Sequence, residues 1–369
     1  MDRRAKYRAT IALPGALLAL FLLDAAVFRT RFYPPVVDPE STTGRLEMMQ
    51  EMETHRQPSK QFQVLAFGDS RMGFLPHLVN ETGADSQIEF ASVAVPGSSP
   101  RCWSYQLRDL DPDANRYRAL ILPVDDYDDE DQMVDPSDLA ADLNYLIGRL
   151  RFPDVFEFAT SFSRWDLRWA ALRGSLLKST VYKSDFQAFL LAPAERRYKV
   201  QLFRSDYASW YRGFAGDDIN LDGLQMNWET GTITLPPGTT PAQERVLRDV
   251  FLRPVAEQTG RLAIYRRRWF GRIIDRYRGT ATQVIFFRLP RGPIPRPDGM
   301  VRKRSSSIRE LASRANVMLL DEQTFESLES TSLFKDPLHL NSEGMRLFSQ
   351  MLAGQVRSRL SGMTRHALQ

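Results

Sequence analysis

Five short, nearly continuous apolar runs mark the chain: Phe62–Phe67, Ile88–Ala94, Ala119–Pro123, Val284–Leu289 and Val317–Leu320. Runs of this length without polar alternation predict strands buried on both faces. Stretches with helical spacing lie between several of them, and "SEGMRLFSQMLAGQVRSRL" predicts a closing helix. Strands alternating with helices predict an α/β fold, with a parallel sheet covered on both sides. About 160 residues separate the third and fourth strands, far more than one crossover needs. Residues 151–240, which include Trp165, Trp169, Trp210 and Trp228, are therefore expected to form an insertion packed beside the sheet.

The amino-terminal pattern is different. "MDRRAKYR" precedes "ATIALPGALLALFLLDAAVF", a stretch whose one charge is Asp24 and whose length suits a membrane-crossing helix. Arg3, Arg4, Lys6 and Arg8 on its leading side predict a cytoplasmic N-terminus and an extracytoplasmic body. A cleaved signal peptide is the rival reading, but Asp24 stands where a small residue belongs in a cleavage site. A buried core helix fits the basic flank less well. The expected plan is a cytoplasmic tip and transmembrane anchor at 1–30, a stalk at 31–60 with a short helix near 44–54, and one domain at 61–369.

Composition narrows the classes. The net charge of +4 resides in the first 31 residues, and the remainder is balanced. A neutral body lacks the clustered basic face of a nucleic-acid binder. The single cysteine, Cys102, excludes an internal disulfide and a cysteine-based zinc site.

In an open α/β sheet, ligands bind at the carboxyl ends of the strands. "VLAFGDSRMGF" presents Ser70 there, just past the first strand. A helix starting near Ser70 would aim its N–H groups at the same spot. A serine hydroxyl needs a base to become nucleophilic. His55 falls in the stalk, His366 in the tail and His77 two helical turns past Ser70. His339, in "FKDPLHLNSEGMRLF", follows Asp336 by three residues on a loop entering the last helix. A carboxylate so placed can fix the imidazole tautomer and stabilise the imidazolium.

"GDSR" after a strand and "DPLH" before a C-terminal helix resemble the first and last motif blocks of the SGNH/GDSL hydrolase family. The resemblance covers roughly residues 60–125 and 280–360. It implies a three-layer, flavodoxin-like sheet and acyl-ester chemistry with Ser70 as nucleophile, His339 as base and Asp336 as its partner. "ASVAVPGSSP" resembles the second block, which makes Gly97 an oxyanion donor together with the Ser70 N–H. The third block departs from the family: "LILPVDDYDDED" carries Asp125 and Asp126 where an asparagine donor is usual. An ionised carboxylate there would repel the developing oxyanion.

"GDSR" together with the expected anchor and the large insertion resembles the family members associated with polysaccharide or cell-wall O-acylation. The implied function is acetyl transfer through Ser70 to a cell-surface polysaccharide, in the periplasm at a bacterial inner membrane and beside a membrane-bound O-acyltransferase. The alternatives are a carbohydrate acetyl esterase, or a weakly catalytic adaptor for polysaccharide or a membrane partner. No cofactor is implied.

Two further patterns carry expectations. Nine acidic residues and no basic one lie between 125 and 142, and the plain reading is a solvated loop. "DINLDGLQMNWE" fits a calcium-loop spacing through Asp218, Asn220, Asp222 and Glu229, although an Asx- and Gly-rich turn is the stronger expectation.

Overall fold

A computed structural model describes residues 3–30, 36–57, 61–72, 78, 87–129, 136–205, 218–252, 259–295 and 306–366. All five predicted strands are present: β1 (Phe62–Ala66), β2 (Ile88–Ser92), β3 (Ala119–Val124), β6 (Gln283–Arg288) and β7 (Val317–Leu319). They form one parallel sheet in the order β2-β1-β3-β6-β7. A separate antiparallel hairpin joins β4 (Gln225–Asn227) to β5 (Thr232–Thr234).

The continuous apolar runs follow from this layering. Every residue of β3 and β6 is buried. Successive side chains of a strand point to opposite faces. Phe286 meets Phe270 edge to face at 4.9 Å, while the next residue, Phe287, meets Phe348 at 6.0 Å. Phe270 and Phe348 lie on different helices, so helices cover both faces of the sheet. The register pairs Ala66 with both Ser92 and Ile121, and Val124 with Arg288. The carboxyl ends of β1, β2 and β3 thus open on a common edge.

Among the described residues, twelve helices accompany the strands. In chain order they are α1 (Arg3–Phe28), α2 (Thr42–His55), α3 (Pro100–Leu110), α4 (Ala141–Leu146), α5 (Asp154–Thr160), α6 (Trp165–Leu176), α7 (Lys183–Leu191), α8 (Pro193–Ser205), α9 (Pro241–Phe251), α10 (Thr259–Arg276), α11 (Ser307–Leu311) and α12 (Ser342–His366). The chain divides into two compact units. One joins Met1–Glu51 to Ser137–Tyr207, and the other joins Met52–Pro136 to Ala208–Gln369. The sheet, its helices and the β4–β5 hairpin belong to the second. The 151–240 stretch is shared between the units: its helices through Ser205 fall in the first and the hairpin in the second.

The transmembrane helix expected near the N-terminus is not supported. α1 spans that stretch, yet among the described residues no helix is long and apolar enough to cross a membrane. Asp24, the one charge in that stretch, is buried. Its carboxylate accepts the backbone N–H groups of Lys178 at 3.1 Å and Ser179 at 2.7 Å. A carboxylate taken from water needs such donors. The trailing end of α1 is therefore fastened to its own unit.

Candidate active site

Ser70 stands where the sequence places it, in a one-turn 3-10 segment (Ser70–Met72) directly after β1. Gly68 makes the turn sterically feasible. A Cβ added there would lie 2.5 Å from the Met72 Cβ, and Met72 is buried. The Gly68 carbonyl accepts from the Val95 N–H at 2.9 Å and from the Ser98 hydroxyl at 2.8 Å. Ser98 in turn accepts from the Trp103 indole N–H at 2.9 Å. These bonds fasten the 95–98 loop to the Ser70 turn. Gly97 lies in that loop with φ of 72°, a left-handed conformation that favours glycine.

Asp336 and His339 come to the same edge on the loop before α12. The Asp336 Oδ1 accepts the N–H groups of Leu338 at 2.7 Å and His339 at 2.8 Å, closing a tight Asx-type turn. That turn brings the His339 Nδ1 to 2.7 Å from Oδ2 and 3.0 Å from Oδ1 of the same carboxylate. The loop is closed by the Lys335 N–H on the His339 carbonyl at 3.0 Å and by the Ile219 N–H on the Lys335 carbonyl at 2.7 Å. Beyond it, Asn341 accepts the Gly344 N–H at 2.9 Å at the start of α12.

The His339 Nε2 lies 2.9 Å from the Ser70 Oγ. Ser70, His339 and Asp336 thus form one continuous hydrogen-bonded relay, 269 residues apart in sequence at its widest step. Asp336 and His339 are buried, and Ser70 is half-buried at the mouth. Burial alone would raise the Asp336 pKa. The hydrogen bond and charge of His339, with the N–H groups of Leu338 and His339, outweigh it and hold the carboxyl below its ordinary range. Asp336 is accordingly an anion at neutral pH, and the geometry can take the proton from a serine hydroxyl through Nε2.

The third-block departure has a structural answer in Arg71, which sequence reasoning missed. The Arg71 guanidinium reaches Asp69 through Nη2 at 2.7 Å and Nε at 3.2 Å. Its Nη1 donates to Asp125. Burial opposes the Arg71 charge, but Asp125 and Asp69 outweigh it, and its pKa lies well above the usual value. The carboxylate expected to repel an oxyanion is therefore ion-paired to the residue that follows Ser70. The signal was an arginine immediately after Ser70 with unmatched acids beside the neighbouring strand.

The acidic run is not a solvated loop over its described part. The Asp129 carboxylate is buried and accepts from the Ser307 N–H at 3.0 Å and the Ser307 hydroxyl at 2.5 Å. Arg309 pairs with Asp128 at 3.4 Å. The Tyr127 hydroxyl donates to the Leu320 carbonyl at 2.6 Å. The Asp126 Oδ1 accepts the Asp128 N–H at 3.1 Å. Residues 130–135 lie outside the described residues, as does His77.

The calcium-loop candidates do not converge. Among the described residues no group of three or more acidic, histidine or cysteine side chains gathers as metal ligands. Asn220 accepts the Asp222 N–H at 3.0 Å as an Asx turn, and Glu229 follows β4 in the hairpin turn, where its N–H bonds Asn227 at 3.0 Å. A cavity of ≈ 450 Å³, lined by Ser104, Arg108, Arg272 and Arg276 among others, opens at the C-terminal ends of α3 and α10, away from the relay.

Comparison with protein-family models, with curated proteins and with solved structures returns no match.

Proposed function

We propose that the protein is a serine acyl-transfer enzyme of the SGNH/GDSL type, carrying out O-acetyl transfer to a cell-surface polysaccharide. The observation that carries this reading is the Ser70–His339–Asp336 relay, with contacts of 2.9 and 2.7 Å. The strand order β2-β1-β3-β6-β7, that of a flavodoxin-like sheet, accords with it.

In the proposed reaction the Ser70 Oγ attacks the carbonyl carbon of an acyl ester while its proton passes to the His339 Nε2. Asp336 stabilises the imidazolium that forms. Negative charge collects on the former carbonyl oxygen, where the Gly97 and Ser70 N–H groups are the proposed donors. The ester C–O bond then breaks, and His339 returns its proton to the departing alcohol. An acyl-Ser70 remains. His339 next takes the proton of an acceptor hydroxyl, whose oxygen attacks the acyl carbon. The Ser70 oxygen leaves and recovers that proton. A sugar hydroxyl as acceptor gives transfer and water gives hydrolysis, so the esterase reading uses the same relay. An ion-paired Asp125 weakens the case for a weakly catalytic adaptor, whose best support was Asp125 and Asp126 in place of an asparagine donor.

We further propose that α1, although not long and apolar enough to cross a membrane, holds the chain at a bacterial inner membrane through its exposed apolar residues, with the sheet-bearing unit in the periplasm beside a membrane-bound O-acyltransferase. Residues 14–23 of α1 are exposed and almost wholly apolar. A helix apolar on all its exposed faces calls for a non-aqueous surrounding.

The test is covalent. A fluorophosphonate probe should label the wild-type protein at Ser70, and Ser70→Ala should be unlabelled. His339→Ala should be labelled far more slowly, and the double variant should be no worse than Ser70→Ala, because triad members act as a unit. A correctly folded wild type that takes no label, or a label that persists in Ser70→Ala, refutes the proposed nucleophile.

A further inference from the structure

We infer that the helices of the first unit seat on a lipid bilayer through an aromatic and aliphatic stripe on α6. The inference rests on the membrane-anchor reading of α1 and extends it from one helix to a docking face. The stripe consists of Trp165 and Trp169, which are 74% and 58% exposed, and Leu176, which is 55% exposed. Half-buried Leu172 lies between them. Their spacing of four, three and four residues aligns them along one side of the helix. The opposite side is spent on the unit's own core: Leu167, Ala171, Gly174 and Ser175 are buried. α5 packs against α6 and adds Phe156, 76% exposed, with Phe152 just ahead of it equally exposed. Water is a poor surrounding for so much contiguous apolar surface.

The occupant is argued from what the stripe is joined to. Its last residue adjoins the end of α1. The Arg29 guanidinium donates to the Ser175 carbonyl at 2.7 Å and to the Leu176 carbonyl at 3.3 Å. Asp24 binds the Lys178 and Ser179 N–H groups two and three residues past the stripe. Phe28 stacks on Tyr182 at 5.6 Å. Directly ahead of that fastening, Leu17, Leu18, Leu20, Leu22 and Leu23 of α1 are all about half exposed or more. Leu176 therefore lies at the foot of a helix whose exposed residues 17–23 are all apolar. Tryptophan is the residue type that favours the headgroup boundary, where its ring is buried and its N–H stays wet. The exposed Arg173, on the same helix, adds a charge that suits anionic headgroups. A glycan platform would use the tryptophan faces but would have no use for Leu176, Phe152 and Phe156.

The experiment uses the full chain reconstituted in vesicles of phosphatidylcholine and phosphatidylglycerol, with bromine carried shallowly on the acyl chains. Trp103 and Trp269, which are buried, serve as background together with Trp210 and Trp228. The emission lost on substituting Trp165→Phe and Trp169→Phe together is the stripe's signal. It should be blue-shifted and strongly quenched in brominated vesicles relative to unbrominated ones. Aqueous iodide should barely affect it. Both variants are conservative, and an unchanged melting curve verifies the fold. Equal emission in the two vesicle types, with quenching by iodide, overturns the inference while the protein still resists carbonate extraction. The same outcome with protection from iodide only on adding polysaccharide also overturns it, in favour of a glycan site. If carbonate extracts the protein, the anchor reading fails separately. Vesicle co-sedimentation of the extracted chain then decides: binding lost in the double variant supports the stripe, and no binding of the wild type refutes it.

Discussion

Removing the Arg71 guanidinium should expose what Asp125 does to an oxyanion. Arg71, Asp69 and Asp125 have side-chain exposures of 16%, 21% and 24%, so the trio is shielded without being deeply buried. Arg71→Ala removes the guanidinium that both carboxylates share beside the Ser70 turn. At an effective dielectric of about 20, two like charges repel by ~4 kcal/mol at 4 Å and ~2 kcal/mol at 8 Å. Each ~1.4 kcal/mol is a factor of ten in rate. The anionic transition state should therefore form about 30- to 1000-fold more slowly, a range whose upper part matches the roughly 100- to 1000-fold cost of losing one oxyanion donor. Asp125→Asn in the Arg71→Ala background removes the repelling charge and offers an amide donor. It should recover at least about tenfold. Asp125→Asn alone should change the rate by less than about tenfold, because its charge is already neutralised. The assay is the pre-steady-state acylation of Ser70 by p-nitrophenyl acetate, with fluorophosphonate labelling rate as a second readout. Melting curves separate this from loss of the turn itself. If the double variant is folded and as slow as Arg71→Ala, Asp125 is not the source of the penalty. If Arg71→Ala is as fast as wild type, the ion pair has no part in the chemistry.

Gly68→Ala should cost about 1–3 kcal/mol and depress acylation, because its Cβ would meet the buried Met72 side chain at contact distances no packed pair tolerates. Met72→Ala in the same background should restore part of the loss by chemical denaturation, and failure to do so would place the strain elsewhere. For pH, the folded Asp336 pKa is depressed. Its stabilising contribution is thus fully present above the ordinary carboxylate value of about 3.9 and is lost as pH falls through the lower folded value. The stability gap between wild type and Asp336→Asn should be largest near neutrality and should close only below that range. A gap that is constant with pH would refute the assignment.

The strands were legible because burial on both faces leaves no polar alternation, and β3 and β6 are buried at every position. The relay was legible because its two halves are local. Gly68-Asp-Ser sits at a strand end, and Asp336 lies one turn before His339. What escaped was charge neutralisation. Arg71 and Asp125 are 54 residues apart, and Asp129 and Ser307 are 178 apart. A sequence window shows nine acids between 125 and 142 and no partner, so solvation is the plain reading. The partners enter through the strand order. β1 and β3 are neighbours with Ala66 opposite Ile121, so residues a few places past each must share an edge. An arginine at 71 and an acid at 125 then meet by necessity. The Asp24 contact escaped for the same reason, since its acceptors' partners lie 154 and 155 residues on, in a segment whose periodicity is helical but whose packing partner is not written in it. Charge patterns thus become interpretable only after topology. An unmatched acid next to a nucleophile is a defect in one dimension and an ion pair in three, and the distinction depends on which strands are adjacent.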